Sequence, residues 1–220
     1  MTDQTLPPVT AEDFIRKPAG HILLSDVSEE DFMELYAQHH CEWVRGYLIK
    51  MSPVSLPHDR IVHYVRPLVE AYFSLKPFGT IVGEPFVMKL EGVRANREPD
   101  LQIILGANRD NVKHTKMNGP ADICIEVVSP GSVETDYGDK FVEYERGGVK
   151  EYWLLDPMRS ESNFYRLNDE GVYQRVDVDE DGHYRTPLLP GFALHVETLW
   201  ETELPDIIAV VQAVQKMLKE

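Results

Sequence analysis

The stretch ICIEVV, residues 123–128, decides the fold of this chain. Apart from Glu126 its side chains are apolar on both faces, a pattern typical of a strand at the centre of a sheet that is covered on both sides. We predict that this strand covers residues 121–128. An unpaired carboxylate in such a strand is energetically costly, so Glu126 requires a compensating partner. A divalent cation and a buried Arg or Lys are the two alternatives.

The residues after this strand predict a parallel crossover. The sequence SPGS at residues 129–132 interrupts the strand, and Ser132 can cap a helix that stops at Gly147 and Gly148. A second buried strand follows over residues 151–155. A strand, a helix and a strand in this order form a parallel crossover unit.

Patterns elsewhere predict further helices and strands around this unit. They are a helix from Ser28 to about residue 39, a hairpin around Gly46 within residues 42–51, a helix over 58–76, strands over 80–90 and 98–105, a polar loop over 108–120, a hairpin of 164–167 and 172–178, and a terminal amphipathic helix over 199–218 interrupted near Pro205. Residues 1–26 show no sustained periodicity and are predicted to be an arm, whereas residues 27–220 are predicted to form one domain. The predicted fold class is α/β, a mixed sheet flanked by helices with an additional antiparallel hairpin region.

The composition excludes several classes of protein. With 43% hydrophobic and 27% charged residues the chain matches an ordinary globular protein, and no apolar run approaches the roughly 20 residues of a membrane span. The N-terminus lacks the order of a secretory signal, which predicts a cytoplasmic protein with no membrane partner. Cys41 and Cys124 are far apart in the sequence, so we expect reduced thiols rather than a disulfide or a zinc finger.

A second candidate carboxylate is Asp100. It follows Pro99 and precedes an apolar run at residues 101–105, so it is expected near the start of a buried strand. Hard cations such as Mg²⁺ take one or two carboxylates as ligands, and structural ion pairs fill similar positions. The residue types alone leave both interpretations open.

Several segments resemble one known group of proteins. Pro99 and Asp100, followed by Glu126 and by a lysine on the next helix, resemble the PD-(D/E)XK nuclease pattern in a variant whose lysine has moved off the strand. The wider stretch from about residue 40 to residue 195 resembles the Uma family of bacterial restriction-endonuclease-like proteins. The segments that carry this resemblance are EWVRGYLIKMSP (42–53), His58, EPDL (98–101), DICIEVVSPGS (122–132), DKFVEYERGGVKEYWLLDP (139–157) and PLLPG (187–191). The resemblance implies a restriction-endonuclease-like mixed sheet.

The resemblance also implies roles for individual residues. Asp100 and Glu126 would be ligands of Mg²⁺ or Mn²⁺, and Lys140 would orient or activate the attacking water and stabilise charge on the scissile phosphate. Val128 occupies the place where the simple motif has lysine, so Lys140 must reach the site from its helix. The alternative for Lys140 is an i, i+4 pair with Asp136 on a solvated helix face.

Glu42, Glu84 and His58 each have two interpretations. The resemblance implies that Glu42 approaches the same metal as Asp100 and Glu126, and the alternative is a carboxylate on a surface strand. Glu84 is ambiguous in the same way. His58 could approach a phosphate, but a lone histidine at the start of a helix more often completes the N-terminal turn, and the structural interpretation is favoured.

The resemblance implies a metal-dependent DNA endonuclease that hydrolyses phosphodiester bonds with a Mg²⁺-activated water. One alternative is a catalytically inactive nuclease-fold module for binding or assembly, and another is a hydrolase of a smaller phosphate compound. The net charge of -15 argues against DNA binding through broad phosphate neutralisation, so local cations would be needed. The candidates are Arg45, Lys50, Arg60, Arg66, Arg109, Lys113, His114 and Lys116. Double-strand cleavage would favour a homodimer, for which the terminal helix offers an apolar stripe.

Overall fold

The structure, a computed structural model, describes residues 18–219. These residues form a mixed α/β fold with two six-stranded sheets and one two-stranded sheet. The strands are, in chain order, β1 His21–Leu24, β2 Cys41–Val44, β3 Tyr47–Lys50, β4 Gly79–Gly83, β5 Val87–Leu90, β6 Ala95–Arg97, β7 Leu101–Leu105, β8 Lys116–Asn118, β9 Ile123–Val127, β10 Glu151–Asp156, β11 Glu161–Leu167, β12 Tyr173–Val176, β13 His183–Arg185 and β14 Ala193–His195. The α-helices are α1 Glu29–Asp31, α2 Leu56–Leu75, α3 Lys140–Gly147 and α4 Ile207–Met217. Two π-helical segments, Phe32–Tyr36 and Thr135–Asp139, and three 3₁₀ turns, Glu91–Val93, Gly106–Asn111 and Glu197–Trp200, complete the described structure.

The central sheet has the strand order β12-β11-β10-β9-β7-β4 and contains the predicted buried strand. β9 pairs in parallel with β10 and antiparallel with β7, and all five of its residues are buried. The prediction of a central strand is confirmed. Its two faces pack into separate apolar clusters, one under α2 and α4 and one under α3.

The crossover between β9 and β10 carries α3. The π-helical segment Thr135–Asp139 leads directly into α3, which ends at Gly148 with a φ of +84°. Glycine adopts this left-handed conformation without steric cost, so it stops the helix as the sequence predicts. The hydroxyl of Ser132 accepts the backbone N–H of Ser129 at 2.9 Å, while its carbonyl accepts the N–H of Asp136 at 2.8 Å. The predicted strand, helix and parallel strand are confirmed.

The second sheet has the strand order β1-β3-β2-β6-β5-β8 and corrects the prediction of a single strand over residues 80–90. β4 belongs to the central sheet and β5 to the second sheet, so the chain changes sheets between them. Pro85 lies in this gap, and a proline has no N–H to donate to a ladder of strand hydrogen bonds. The single run therefore divides at this residue.

Three further predictions of irregular or helical structure are corrected. Residues 18–26 of the predicted arm contain β1, which pairs antiparallel with β3, and residues 1–17 lie outside the described part of the chain. The predicted polar loop at 108–120 contains β8, which pairs in parallel with β5. The helix after Ser28 does begin with Ser28 as its cap, but it continues as a π-helical segment and ends at Tyr36.

The long helix α2 packs its apolar stripe against the central sheet. Ser55 caps it, and its buried face includes Ile61, Val65, Leu68 and Tyr72. The helix is confirmed with its start two residues earlier than predicted. Helix α4 packs on α2, and its buried side chains are Val210 and Val214. None of the helices within residues 18–219 is both long and apolar enough to cross a membrane.

Candidate active site

Asp100 and Glu126 come together because β7 and β9 are neighbours. Asp100 immediately precedes β7, and its Oδ2 accepts the backbone N–H of Val127 at 2.6 Å. Glu126 lies on β9, and both carboxylates line one cavity of about 70 Å³. Both side chains are buried. The sheet thus brings the two predicted carboxylates to one site.

Lys140 reaches this site from the first residue of α3. Its Nζ lies 2.9 Å from Oε1 of Glu126, 3.3 Å from Oδ1 of Asp136 and 3.6 Å from Oε1 of Glu42. The i, i+4 pair with Asp136 therefore exists, but the Lys140 side chain is only 6% exposed. Lys140 does not lie on a solvated helix face.

Glu126 is held by two donors on one oxygen. The hydroxyl of Tyr144 donates to Oε1 at 2.6 Å, next to the Lys140 contact on the same atom. Burial raises the pKa of Glu126 well above its usual range, Lys140 opposes this, and the charge of Asp100 adds to it. Burial also acts to lower the pKa of Lys140, but Glu126 and the other carboxylates outweigh it and raise the pKa. In this conformation the lysine is a firmly held cation.

Glu42 is part of a buried ion-pair chain that borders the cavity. Its Oε2 accepts from Arg97 at 2.7 Å, and its Oε1 accepts the backbone N–H of Glu98 at 3.1 Å. Arg97 also donates to Glu143 at 2.7 Å, and Arg45 lies 3.3 Å from Glu143. Burial acts to raise the pKa of Glu42, but Lys140 and Arg97 outweigh it and lower the pKa. Glu42 is therefore not a surface carboxylate.

Glu98 is a buried carboxyl group that sequence reasoning did not single out. Neither of its oxygens has a hydrogen-bond partner among residues 18–219. Burial, together with the charges of Glu42 and Glu84, raises its pKa to about 8 against the opposing effect of Lys140. The available sequence signal for Glu98 was its position directly after Arg97, in the short segment that precedes Asp100.

Asp136 and His58 also line the cavity. Burial raises the pKa of Asp136, which Lys140 opposes. Nε2 of His58 lies 3.0 Å from Oδ2 of Asp100. Burial acts to lower the pKa of His58, but its hydrogen bond to Asp100 and the charge of that residue outweigh burial and raise the pKa. The signal for His58 was its presence among the resembling segments rather than any spacing.

The predicted phosphate contacts are distributed unevenly around the site. Lys50 lines the cavity, whereas Arg45 is turned inward to Glu143. Arg66 pairs with Glu70 on α2 at 2.9 Å. Arg60, Arg109 and Lys113 donate to the backbone carbonyls of Thr202, Gly106 and Asp110. Of these cations, Lys50 is the one best placed for a phosphate at the cavity.

The carboxylates at the cavity are donors of the type that a small divalent cation takes. Within residues 18–219 no group of three or more His, Cys, Asp or Glu side chains is positioned to hold a metal ion. Mg²⁺ does not need one, because it commonly binds one or two carboxylates and keeps several waters. The contacts described above use Oδ2 of Asp100 and Oε1 of Glu126, so they leave the second oxygen of each carboxylate for such an ion.

Comparisons with known proteins identify a family and a shared fold. The family model described as "Uma2: Putative restriction endonuclease" matches residues 29–197. A protein from Anabaena variabilis, described as "a putative nuclease belonging to DUF820", has a crystal structure that superposes with a TM-score of 0.66 at 16% sequence identity, covering 78% of this chain and 96% of that one. This likeness shows a shared fold. No curated protein matches the chain. Because the family model covers well over half of its residues, the chain belongs to the Uma2 family of restriction-endonuclease-like proteins.

Proposed function

We propose that the chain is a divalent-metal-dependent DNA endonuclease whose centre is formed by Asp100, Glu126 and Lys140. One observation carries the proposal: carboxylates from adjoining strands line one cavity, and a buried ammonium group lies 2.9 Å from one of them. Two carboxylates can hold a metal ion, and a fixed cation beside them can stabilise the negative charge of a phosphodiester under attack. The family supports the same chemistry.

The charge balance around the cavity supports a bound cation. The cluster contains more carboxyl groups than basic side chains, since three cations are in ion pairs with four carboxylates and two further carboxyl groups lie beside them. The cations are Lys140, Arg97 and Arg45, the paired carboxylates are Glu42, Glu126, Asp136 and Glu143, and the further carboxyl groups are Asp100 and Glu98. Bound protons offset part of this surplus, because the pKa values of Glu98 and Glu126 are raised and His58 lies 3.0 Å from Asp100. A divalent ion bound at the carboxylates would be the alternative source of positive charge.

The side chains at the cavity have different tasks in the proposed reaction. When bound, the metal would supply charge neutralisation and an activated water. Asp100 and Glu126 would hold it, and Lys140 would stabilise the charge that develops on the phosphate. Lys50, at the cavity edge, would contact a neighbouring phosphate. Glu42 remains a predicted third ligand, although both of its oxygens are already hydrogen-bonded, so this role would require it to release a partner.

The size of the cavity argues against a site that encloses a whole nucleotide. Pockets that enclose drug-sized ligands have volumes of about 300–1,000 Å³. At about 70 Å³, this cavity is large enough for ions, waters or a phosphate group but too small to enclose a nucleotide. A backbone phosphate that protrudes from a DNA strand can enter it while the bases stay outside. The cavity size therefore fits binding through a single phosphate group of a DNA strand.

The test is cleavage of supercoiled, linear and single-stranded DNA with Mg²⁺, with Mn²⁺ and with EDTA. We expect metal-dependent cleavage that decreases by about 10²–10³-fold in Asp100→Asn, Glu126→Gln and Lys140→Met. Lys150→Met is the matched control, because Lys150 is an exposed lysine that pairs with Asp122. Cleavage that persists in the three site variants would refute the assigned centre. Binding of DNA without cleavage by the wild type would instead support the inactive binding module.

A further inference from the structure

His58 is a buried side chain in the candidate site to which the endonuclease proposal gives no task. It lies in the first turn of α2, three residues after the capping residue Ser55, and it lines the same cavity as Asp100. Its Nδ1 is buried and has no hydrogen-bond partner within the part of the chain that the structure describes. Among the described contacts, the polar interaction with Asp100 therefore compensates the free-energy cost of burying the imidazole ring.

The contact with Asp100 has a defined direction. Nε2 of His58 lies 3.0 Å from Oδ2, and because a carboxylate only accepts hydrogen bonds, this nitrogen carries the proton. The backbone N–H of Val127 donates to the same oxygen at 2.6 Å. Two donors, one from α2 and one from β9, thus converge on Oδ2. Oδ1 takes part in neither contact.

We propose that His58 is a positioning residue of the metal centre, which fixes the carboxylate of Asp100 so that Oδ1 is presented to a divalent cation. The terminal torsion of an aspartate is broad, so a single donor on one oxygen leaves the carboxylate plane poorly defined. A second donor from a different element removes this freedom before the cation arrives. Hydrogen-bonding partners of metal ligands typically contribute about 10–100-fold to metal affinity. The inference rests on the proposed metal site but assigns His58 no contact with substrate.

The positioning role of His58 depends on where helix α2 begins and on how it packs against the sheet. Ser55 accepts the N–H of His58 at 3.4 Å, and the buried stripe of α2 packs under the central sheet that carries β7 and β9. The imidazole is therefore held by the same packing that places the two strands. A side chain that only filled space at the helix start would need the correct volume but no N–H.

The test compares two substitutions of nearly equal shape. His58→Gln keeps an N–H donor at about the reach of Nε2, whereas His58→Met keeps the volume without a donor. Mn²⁺ affinity is measured by electron paramagnetic resonance of the free ion, and thermal unfolding in EDTA reports the fold. His63→Gln is the matched control, because His63 is an exposed histidine on the same helix that pairs with Asp59.

We expect His58→Met to weaken Mn²⁺ binding by about 10–100-fold and His58→Gln to bind within a few-fold of the wild type. His63→Gln should bind like the wild type. Equal Mn²⁺ affinity of His58→Met and wild type would overturn the inference while leaving the endonuclease proposal in place. Binding by His58→Gln as weak as that of His58→Met would also overturn it, because a donor would then not suffice. If the wild type bound no divalent ion at all, both proposals would fail.

Discussion

The ammonium group of Lys140 lies 2.9 Å from Oε1 of Glu126, and both side chains are almost completely buried. One residue begins a helix and the other lies in the central strand of the sheet, 14 positions earlier in the chain. Their contact joins the crossover helix α3 to β9. Several measurable properties depend on this pair and on the charges around it.

Removal of the lysine should leave its carboxylate partners facing one another. Lys140→Met is expected to lower the free energy of unfolding in EDTA by about 3–5 kcal/mol, because Glu126, Asp136 and Glu42 lose a buried counter-charge. Urea unfolding measures the loss, and Mg²⁺ should recover part of it by replacing the missing charge. Lys150→Met should cost less, because Lys150 is 60% exposed and its buried partner Asp122 keeps the hydrogen bonds that it accepts from the N–H of Leu105 and the side chain of Asn108. Equal losses in the two variants would contradict this account.

The unpaired carboxyl group of Glu98 should make stability depend on pH. Its pKa is about 8 in the folded protein, against an ordinary value of 4.5, so the folded state binds more protons between these pH values. Stability should therefore decrease as the pH rises from about 5 to about 8. Glu98→Gln removes this dependence and should be more stable than the wild type by a few kcal/mol near pH 8, but not near pH 5. Urea unfolding in EDTA at both pH values is the measurement, and parallel pH profiles would refute the prediction.

The buried guanidinium of Arg97 should be one of the most sensitive positions in the chain. It is completely buried and donates to Glu42 and to Glu143 at 2.7 Å each. Arg97→Met should lower the free energy of unfolding by about 3–5 kcal/mol, because two carboxylates lose their shared partner. Adding Glu143→Gln should recover part of the loss, with a coupling of about 1 kcal/mol or more in the double-mutant cycle. Strict additivity of the two substitutions would show that the contact contributes nothing.

The close approach of two loops beside the cavity can be tested with a compensating pair. A Cβ at Gly131 would overlap Oγ of Ser52 and lie 2.8 Å from its Cβ. Gly131→Ala should therefore destabilise the protein by about 1–3 kcal/mol, since one of the two loops must move. Ser52→Gly should restore most of the stability of Gly131→Ala by removing the clashing atoms. Thermal unfolding of the four proteins checks this, and a Gly131→Ala variant as stable as the wild type would contradict it.

The elements that carry their own periodic signal were predictable. The apolar run around Glu126 identified β9, and the repeated apolar residues of α2 identified the helix with its buried face. Glycines marked the hairpin at Gly46 and the end of α3. In each case the physical cause of the element lies within the segment itself, so the segment alone is informative.

The elements that depend on distant partners were not predictable. β8 has three residues and exists because β5 lies beside it, and β1 exists because β3 does. The same holds in the site: the contact of His58 with Asp100 joins residues 42 positions apart, and the chain of Arg97 and Glu143 joins residues 46 positions apart. Carboxylates and cations can be recognised in a sequence, but their pairing is decided by tertiary packing.

The π-helical segment before α3 has a consequence for how this protein could tolerate changes in length. The N–H of Lys140 bonds to the carbonyl of Thr135, five residues earlier, so this turn holds one residue more than an α-helical turn of the same shape. Deletion of a single residue there, such as Gly138, whose Cβ position is open, would let the turn relax to α-helical geometry. Asp136 would then rotate by about 100° around the helix axis relative to Lys140. The number of residues between Ser132 and Lys140 therefore sets the direction in which the Lys140 side chain points. Deletion of one residue there would change that direction rather than only shorten the turn.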